Sequence, residues 1–271
     1  MLCKNCLSSD LIIMNNTSEY SLIKCNSCTF LFKDISEINY ELLTEKDYAC
    51  YNFERENEIT EIDNIIKKYY KKDKIRVLEI GSGTSSLLKS LSESGYDCIG
   101  VEPSKVAVQL SEKVYPDIEV VNEYFTSDLI KKEIDVILLY DVVEHLEPNN
   151  KLYKEINSFM TSETLLLIKS GNPSSFNAKL LISRWVYLLI DQHISFYSPK
   201  ALKIFCENLD LNIVKYYKFK HAYGGLHLFR ILKNIFKILL NKFYLDSSLK
   251  RNISIGLAND HFIAVIKKNI L

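Results

Sequence analysis

Ile75-Arg76-Val77-Leu78-Glu79-Ile80-Gly81-Ser82-Gly83 is a short aliphatic run that ends in an acid and breaks into two glycines one residue apart. Such a run reads as a strand passing directly through a glycine turn into a helix. That arrangement presents free main-chain N–H groups to the polar end of a ligand. Gly81 and Gly83 let the chain turn sharply and come close to a group that a Cβ would push away. A Gly-x-Gly turn is a weak signal alone. Its force comes from the motifs spaced after it along the chain.

Thr84 to Ser94 reads as a helix closed by Gly95 at its C-cap. Cys98-Ile99-Gly100-Val101-Glu102 is the second strand, and its terminal acid lies about twenty residues past the turn, where an acid accepts both hydroxyls of a ribose. A solvated strand-end carboxylate is the plainer alternative; the position beside the glycine turn favours the ligand. Pro103-Ser104 opens a helix to Val114, Ile118 to Val121 is a third strand, and Ile134 to Tyr140 is a fourth. After a helix over Asn150 to Met160, Leu165 to Ile168 forms a fifth strand. The near-unbroken apolar runs suit parallel strands buried on both faces, and their alternation with helices predicts a doubly wound, mostly parallel α/β sheet. Pro199 to Leu209 reads as a helix, with strands over Asn212 to Phe219 and Phe262 to Lys267.

Upstream, Ile59, Ile62, Ile65, Ile66 and Tyr69 recur at helical spacing within Phe53 to Tyr70, Lys71 to Lys74 make a solvated turn, and Phe30 to Tyr51 has no clean period and reads as a connection. Cys3-x-x-Cys6 and Cys25-x-x-Cys28 have the spacing of a four-thiolate zinc ribbon over residues 1–34, with the main domain over 35–271. Four thiolates leave no open position, so the zinc is structural. Paired disulfides compete with this reading, but a reducing compartment disfavours them. Cys98 and Cys206 sit in apolar patterns as inert core thiols, and Cys50 is undetermined.

Lys plus Arg and Asp plus Glu number 34 each, so no global field points to nucleic acid. Eight glycines and five prolines argue against long linkers. The N-terminus lacks a signal-peptide pattern and no apolar run spans a bilayer, so the cytoplasm is the default compartment. Leu226 to Leu245 is an apolar insertion with Arg230, Lys233, Asn234, Lys237 and Asn241 on one narrow face of a helix. Packing on the domain or across a homodimer is favoured over contact with a membrane or a lipid-linked substrate.

The motifs Glu79-Ile80-Gly81-Ser82-Gly83, Val101-Glu102-Pro103-Ser104 and Tyr140-Asp141-Val142-Val143-Glu144-His145-Leu146 together resemble those of class I S-adenosylmethionine-dependent methyltransferases. The resemblance covers roughly residues 53 to 220 and continues in Ser170-Gly171-Asn172-Pro173. Asp191-Gln192-His193-Ile194-Ser195-Phe196-Tyr197-Ser198 is similar to a block in members that methylate sugars and other small metabolites. The cysteine ribbon ahead of the domain resembles methyltransferases of surface-polysaccharide and sugar-nucleotide pathways. Two features depart from the pattern. Leu7 and Thr29 follow the second cysteines where glycine is common, and Tyr124 falls where many relatives carry an acid for the adenine amino group.

The resemblance implies a Rossmann-like seven-stranded sheet, closed by Phe262 to Lys267 as an antiparallel strand. It implies Glu79 under the methionine amino end of S-adenosylmethionine, Gly81, Ser82 and Gly83 close to the cofactor, and Glu102-Pro103 at the ribose. Tyr124 and Phe125 are placed for the adenine, and Asp141 near the sulfonium. His145 is the expected base and His193 positions the acceptor. Glu144 either orients His145 or joins it on a divalent metal, the base reading ranking first. The implied reaction is methyl transfer to a small, sugar-linked acceptor, with O-methylation ahead of N- or C-methylation. An NAD-linked oxidoreductase is disfavoured because Ser86 replaces the third glycine of the dinucleotide fingerprint. A non-catalytic binding or regulatory module is the reading from a different class, and the intact Glu102 and Glu144-His145 argue against it.

Overall fold

The computed structural model describes residues 1–35, 56–181, 185–219 and 260–269. The apolar insertion at 226–245, Cys50 and most of the stretch read as a connection lie outside these residues. Near the N-terminus come β1 (Leu11–Asn16), β2 (Ser21–Cys25) and β3 (Leu31–Lys33). The main domain follows with α1 (Glu56–Tyr69), β4 (Arg76–Ile80), α2 (Ser86–Glu93), β5 (Asp97–Val101), α3 (Lys105–Val114), β6 (Glu119–Val121) and β7 (Val136–Tyr140). Then come α4 (Lys151–Phe159), β8 (Leu165–Gly171), α5 (Phe176–Leu181), α6 (Val186–Leu189) and β9 (Ser195–Phe196). The last described elements are α7 (Pro199–Glu207), β10 (Leu211–Phe219) and β11 (His261–Lys268).

The central sheet has seven strands in the order β10-β11-β8-β7-β4-β5-β6. All run parallel except β11, which pairs antiparallel with both β8 and β10, as expected of the closing strand. Alternation along each strand divides the core in two. Leu78, Ile80, Ile137, Leu139, Leu166 and Ile168 face one layer, packed with Tyr153 and Ile156 of α4 and Leu202 and Phe205 of α7. Val77, Val136, Leu138, Leu165 and Leu167 face the other, under Ile62, Ile65 and Ile66 of α1 and Leu87 and Leu91 of α2. Of the four isoleucines of α1 these three are buried, because spacings of three and four place them on one helical face.

β1, β2, β3 and β9 form a second, four-stranded antiparallel sheet. Residues 1–34 thus share a sheet with the segment after β8, through Leu31 opposite Phe196 and Phe32 opposite Ser195. Cys3, Cys25, Cys28, Phe30 and Phe32 also join the core layer that holds Tyr197 and Phe205. Strand β3 falls inside the stretch read from sequence as connection. Three residues are too few to show a period, and its partner lies far along the chain.

Gly100 of β5 is where the main chain of the sheet touches the glycine turn. A Cβ there would lie 2.6 Å from Ser82 Oγ and 2.9 Å from Leu88 Cδ1. Gly100→Ala is therefore expected to destabilise the fold by about 1–3 kcal/mol through overpacking, read as a lower urea midpoint at unchanged slope. An unchanged midpoint would mean that Ser82 and Leu88 give way freely.

Candidate active site

Polar groups collect at the carboxyl ends of β4, β5, β7 and β8. The glycine turn is anchored by Gly81 N–H, which donates to Val101 O at 2.8 Å. Its two glycines serve different needs. Gly81 has φ +77° and faces Val142, whose Cγ2 would lie 2.7 Å from a Cβ. Gly83 has φ +52° and open space where a Cβ would point. Glu79 is buried at the end of β4.

The Glu102 carboxylate accepts from Gly83 N and Ser104 N, both at 2.8 Å. Burial pushes its pKa up, and those two main-chain donors pull it back. A carboxylate has about four acceptor positions, so two main-chain bonds leave room for ligand hydroxyls. Asn122, unremarked in the sequence, braces this corner by donating to Glu102 O at 2.8 Å and Pro103 O at 3.1 Å. The candidates for the adenine separate. Phe125 is buried edge-on against Phe159 at 5.5 Å, whereas Tyr124 is 65% exposed.

Asp141, just past β7, is a non-glycine residue at φ +56°. Its carboxylate accepts from Lys169 Nζ at 2.7 Å, and the same ammonium donates to Glu58 of α1 at 2.8 Å. Lys169 is fully buried, and an ammonium there is tolerable only with such partners. It ties α1 to the site, a role visible in sequence only as a charge at the end of the apolar run of β8.

Glu144, His145 and His193 come together, with ligand atoms all within 4.8 Å of one another. Glu144 is fully buried and accepts from Ser170 Oγ at 2.9 Å and from the Tyr187 hydroxyl. Burial, and then the nearby Asp141, push its pKa up to about 8. Main chain orients both histidines: His145 Nδ1 lies 3.1 Å from Gln192 O, and His193 Nδ1 lies 2.9 Å from Tyr187 O. A carbonyl only accepts, so each Nδ1 carries the proton when its ring is neutral. Burial pushes His145 down to about 4 and His193 well below its ordinary value, so both rings are neutral at pH 7. The rings meet edge to face at 4.8 Å. His261, paired with Asp260 at 2.9 Å, packs edge-on against Tyr187 at 5.2 Å. Tyr187 and His261 carry no signal in the sequence, and Ser170 appears there only within the Ser170-Gly171-Asn172-Pro173 motif; the fold brings Tyr187 and Ser170 to Glu144 and packs His261 behind Tyr187.

The thiols of Cys3, Cys6, Cys25 and Cys28 also converge. Cys3 to Cys28 and Cys6 to Cys25 are each 3.6 Å between sulfurs, and all four lie within 4.8 Å of one another. A disulfide needs about 2.05 Å, whereas thiolates about 2.3 Å from one zinc stand about 3.8 Å apart. The arrangement fits the metal. The hydrogen bond from Cys28 pulls the Cys3 thiol down to about 5, while Cys28 itself is pushed up. Leu7 and Thr29 take φ +60° and +64°, the left-handed conformation for which glycine is common, and their N–H groups donate to Cys3 O and Cys25 O at 2.9 Å. Cys98 and Cys206 are pushed up to about 12 by burial, as inert thiols are.

A family described as "Methyltransferase domain" matches residues 53–216. An uncharacterized methyltransferase of Alkaliphilus oremlandii is 31% identical over 127 residues, covering 46% of this chain and 57% of that protein. The (S)-tetrahydroprotoberberine N-methyltransferase of Eschscholzia californica is 26% identical over 146 residues, covering 49% of this chain and 42% of that protein. This chain spans about half the length of the curated relatives it matches. Among solved structures, a SAM dependent methyltransferase from Archaeoglobus fulgidus superposes with a TM-score of 0.53 at 22% identity, over 85% of this chain and 100% of that one. That likeness concerns the fold.

The buried Glu144 carboxyl makes stability depend on pH. Its folded pKa of about 8 lies above the ordinary 4.5. The stability it contributes is therefore present in full below about pH 4.5 and lost as pH rises through about 8. Glu144→Gln keeps the neutral shape, and the Tyr187 and Ser170 hydroxyls can rotate to suit it. The stability difference between wild type and Glu144→Gln, measured by urea unfolding from pH 5 to 8.5, should drift against the wild type. The histidine contributions are common to both proteins and cancel. Parallel curves would place the Glu144 pKa at its ordinary value.

Proposed function

The chain belongs to the methyltransferase-domain family, and on that premise we propose that it moves a methyl group from S-adenosylmethionine to a small acceptor. The observation that carries this reading is the join between the glycine turn and Glu102: one buried carboxylate gathers Gly83 N–H and Ser104 N–H with acceptor positions to spare, and the space a Cβ of Gly83 would enter is open. Glu79, Gly81, Ser82, Gly83, Glu102 and Pro103 hold the cofactor, with Tyr124 the aromatic free to cover its adenine. Phe125 supports that wall from the core. Asp141, shared with Lys169, lies on the methionine side. S-adenosylmethionine, when bound, supplies a methyl group already activated by a sulfonium.

The residues of the protein then have to align the acceptor and hold its proton. Neutral imidazole is the form that accepts a proton, and His145 is in that form at pH 7; the burial that keeps it neutral also lowers its basicity. His145 takes the base role and His193 positions the acceptor, while Glu144 shapes the pocket through Tyr187 and Ser170. An acceptor that must lose a proton suits this pair, and a sugar hydroxyl in surface-polysaccharide synthesis is the preferred one. Its support is the resemblance of Asp191 to Ser198 and of the ribbon. Joint binding of a divalent metal by Glu144, His145 and His193 is the second reading, favoured by their 4.8 Å clustering. Cys3, Cys6, Cys25 and Cys28 hold one structural zinc, and residues 1–34 form its ribbon.

Two measurements test these assignments. Removing the Glu102 carboxylate takes away a charged acceptor, at a cost of about 1.5–3 kcal/mol. Glu102→Ala should bind S-adenosylmethionine roughly ten- to a hundredfold more weakly in calorimetry. Unchanged affinity in the folded variant would place the ribose elsewhere. Protein purified without chelators should carry one zinc per chain by elemental analysis, and a zinc-free preparation of folded protein would remove the ribbon metal.

A further inference from the structure

We propose that Lys33 is a positioning residue for the histidine pair, clamping the Ile190–Ile194 turn at both ends and so linking the cysteine ribbon to the acceptor side of the site. This rests on the reading of His145 and His193 as acceptor-side residues and of the four cysteines as a metal site.

The clamp is explicit. Lys33 N–H donates to Ile194 O at 2.9 Å, and Lys33 Nζ donates to Ile190 O at 2.8 Å. Between these two carbonyls the chain makes a turn, closed by His193 N–H to Ile190 O at 3.1 Å. Three residues of the turn then address the site. The Gln192 carbonyl holds His145 Nδ1, His193 is itself one of the pair, and Ile194 N–H donates to Glu144 O at 2.7 Å. The pairing of β3 with β9 continues the same contact through Phe32 opposite Ser195.

A lysine is a costly choice for a packing role. Lys33 is 1% exposed, with its ammonium over the Tyr20 ring at 4.7 Å. Burial pushes its pKa down to about 8, with Asp191 and Glu19 opposing the shift. A methionine would fill the same volume without desolvating a charge. What the ammonium adds is a donor aimed at one carbonyl of the turn. The ribbon supplies the other half of the link: Cys25 N–H donates to Phe30 O at 2.8 Å, so the second cysteine knuckle runs straight into β3.

The test uses the full chain in its metal-loaded form, as Lys33→Met and Lys33→Arg. Ile190 O keeps its bond from His193 N–H in both variants, and replacing a buried charge with methionine preserves volume. Hydrogen exchange at the Ile194 and Ser195 amides should speed up roughly ten- to a hundredfold in Lys33→Met, the loss expected for one charge-assisted hydrogen bond. The 15N signals of the His145 and His193 imidazoles should move as their Nδ1 bonds loosen. Lys33→Arg, which keeps a donor, should restore both. S-adenosylmethionine affinity should stay unchanged, because the glycine turn and Glu102 make none of these contacts. Removing the ribbon metal with a chelator should loosen the same two amides. Unchanged amides and imidazole signals in folded Lys33→Met would overturn the proposal. So would protection lost throughout the core, which would mark Lys33 as a general packing residue. The underlying readings fail separately: no S-adenosylmethionine binding by the wild type counts against the methyltransferase, and no bound metal counts against the ribbon, while the amide comparison still decides the clamp.

Discussion

A parallel strand buried on both faces gives its main chain to its neighbours and its side chains to two apolar layers. The only place left for polar chemistry is where the strand ends. β7 illustrates the constraint: Val136 to Tyr140 are all buried, and the next residue, Asp141, turns away in a left-handed conformation. β4 likewise gives way at the left-handed Gly81, and β5 runs from three buried residues into the buried acid Glu102. Residues distant in sequence therefore meet along one edge of the sheet, where strand ends and helix starts supply unpaired N–H groups.

Ionisable groups at that edge are held by partners rather than by water. Lys169 sits between Glu58 and Asp141, Glu144 between Tyr187 and Ser170, and Glu102 between two main-chain N–H groups. Groups fixed this way need little reorganisation when a ligand's charge arrives, which is the physical basis of preorganisation. The cost is desolvation, seen as raised acids and lowered histidines. The network is also continuous: Asp141 both shares Lys169 with α1 and raises the Glu144 carboxyl.

The cysteine sheet enters this edge from outside the doubly wound core. Asn5 donates to Ala201 O at 2.9 Å, Asn208 donates to Asn5 O at 2.9 Å, and Lys4 pairs with Glu147 at 2.7 Å. Together with β9 these contacts fasten residues 1–34 to α7 and to the loop after β7. A small sheet has too little apolar surface to hold itself in register, and here it borrows a core from the larger domain.

Periodicity and local chemistry made most of the central fold legible from the sequence. β4, β7 and β8 are apolar runs between clear breaks, and the parallel pairing follows from alternation with helices. Glu102 and the glycine turn were legible for the same reason, because the spacing between them is local. The cysteine pairs were legible through their spacing, and the left-handed Leu7 and Thr29 only through the folded knuckles. Strand β3, the pairing of Tyr187 and Ser170 with Glu144, the packing of His261 on Tyr187 and the clamp at Lys33 were not legible. Each depends on a contact between segments far apart in the chain, carried by two or three residues with no period of their own. The layered sheet and the residues at its strand ends are written in the order of the chain, because they follow from neighbours a few positions apart. Which buried groups share protons and hydrogen bonds is set by folding alone, because in a desolvated site the nearest partner in space, not in sequence, fixes the charge.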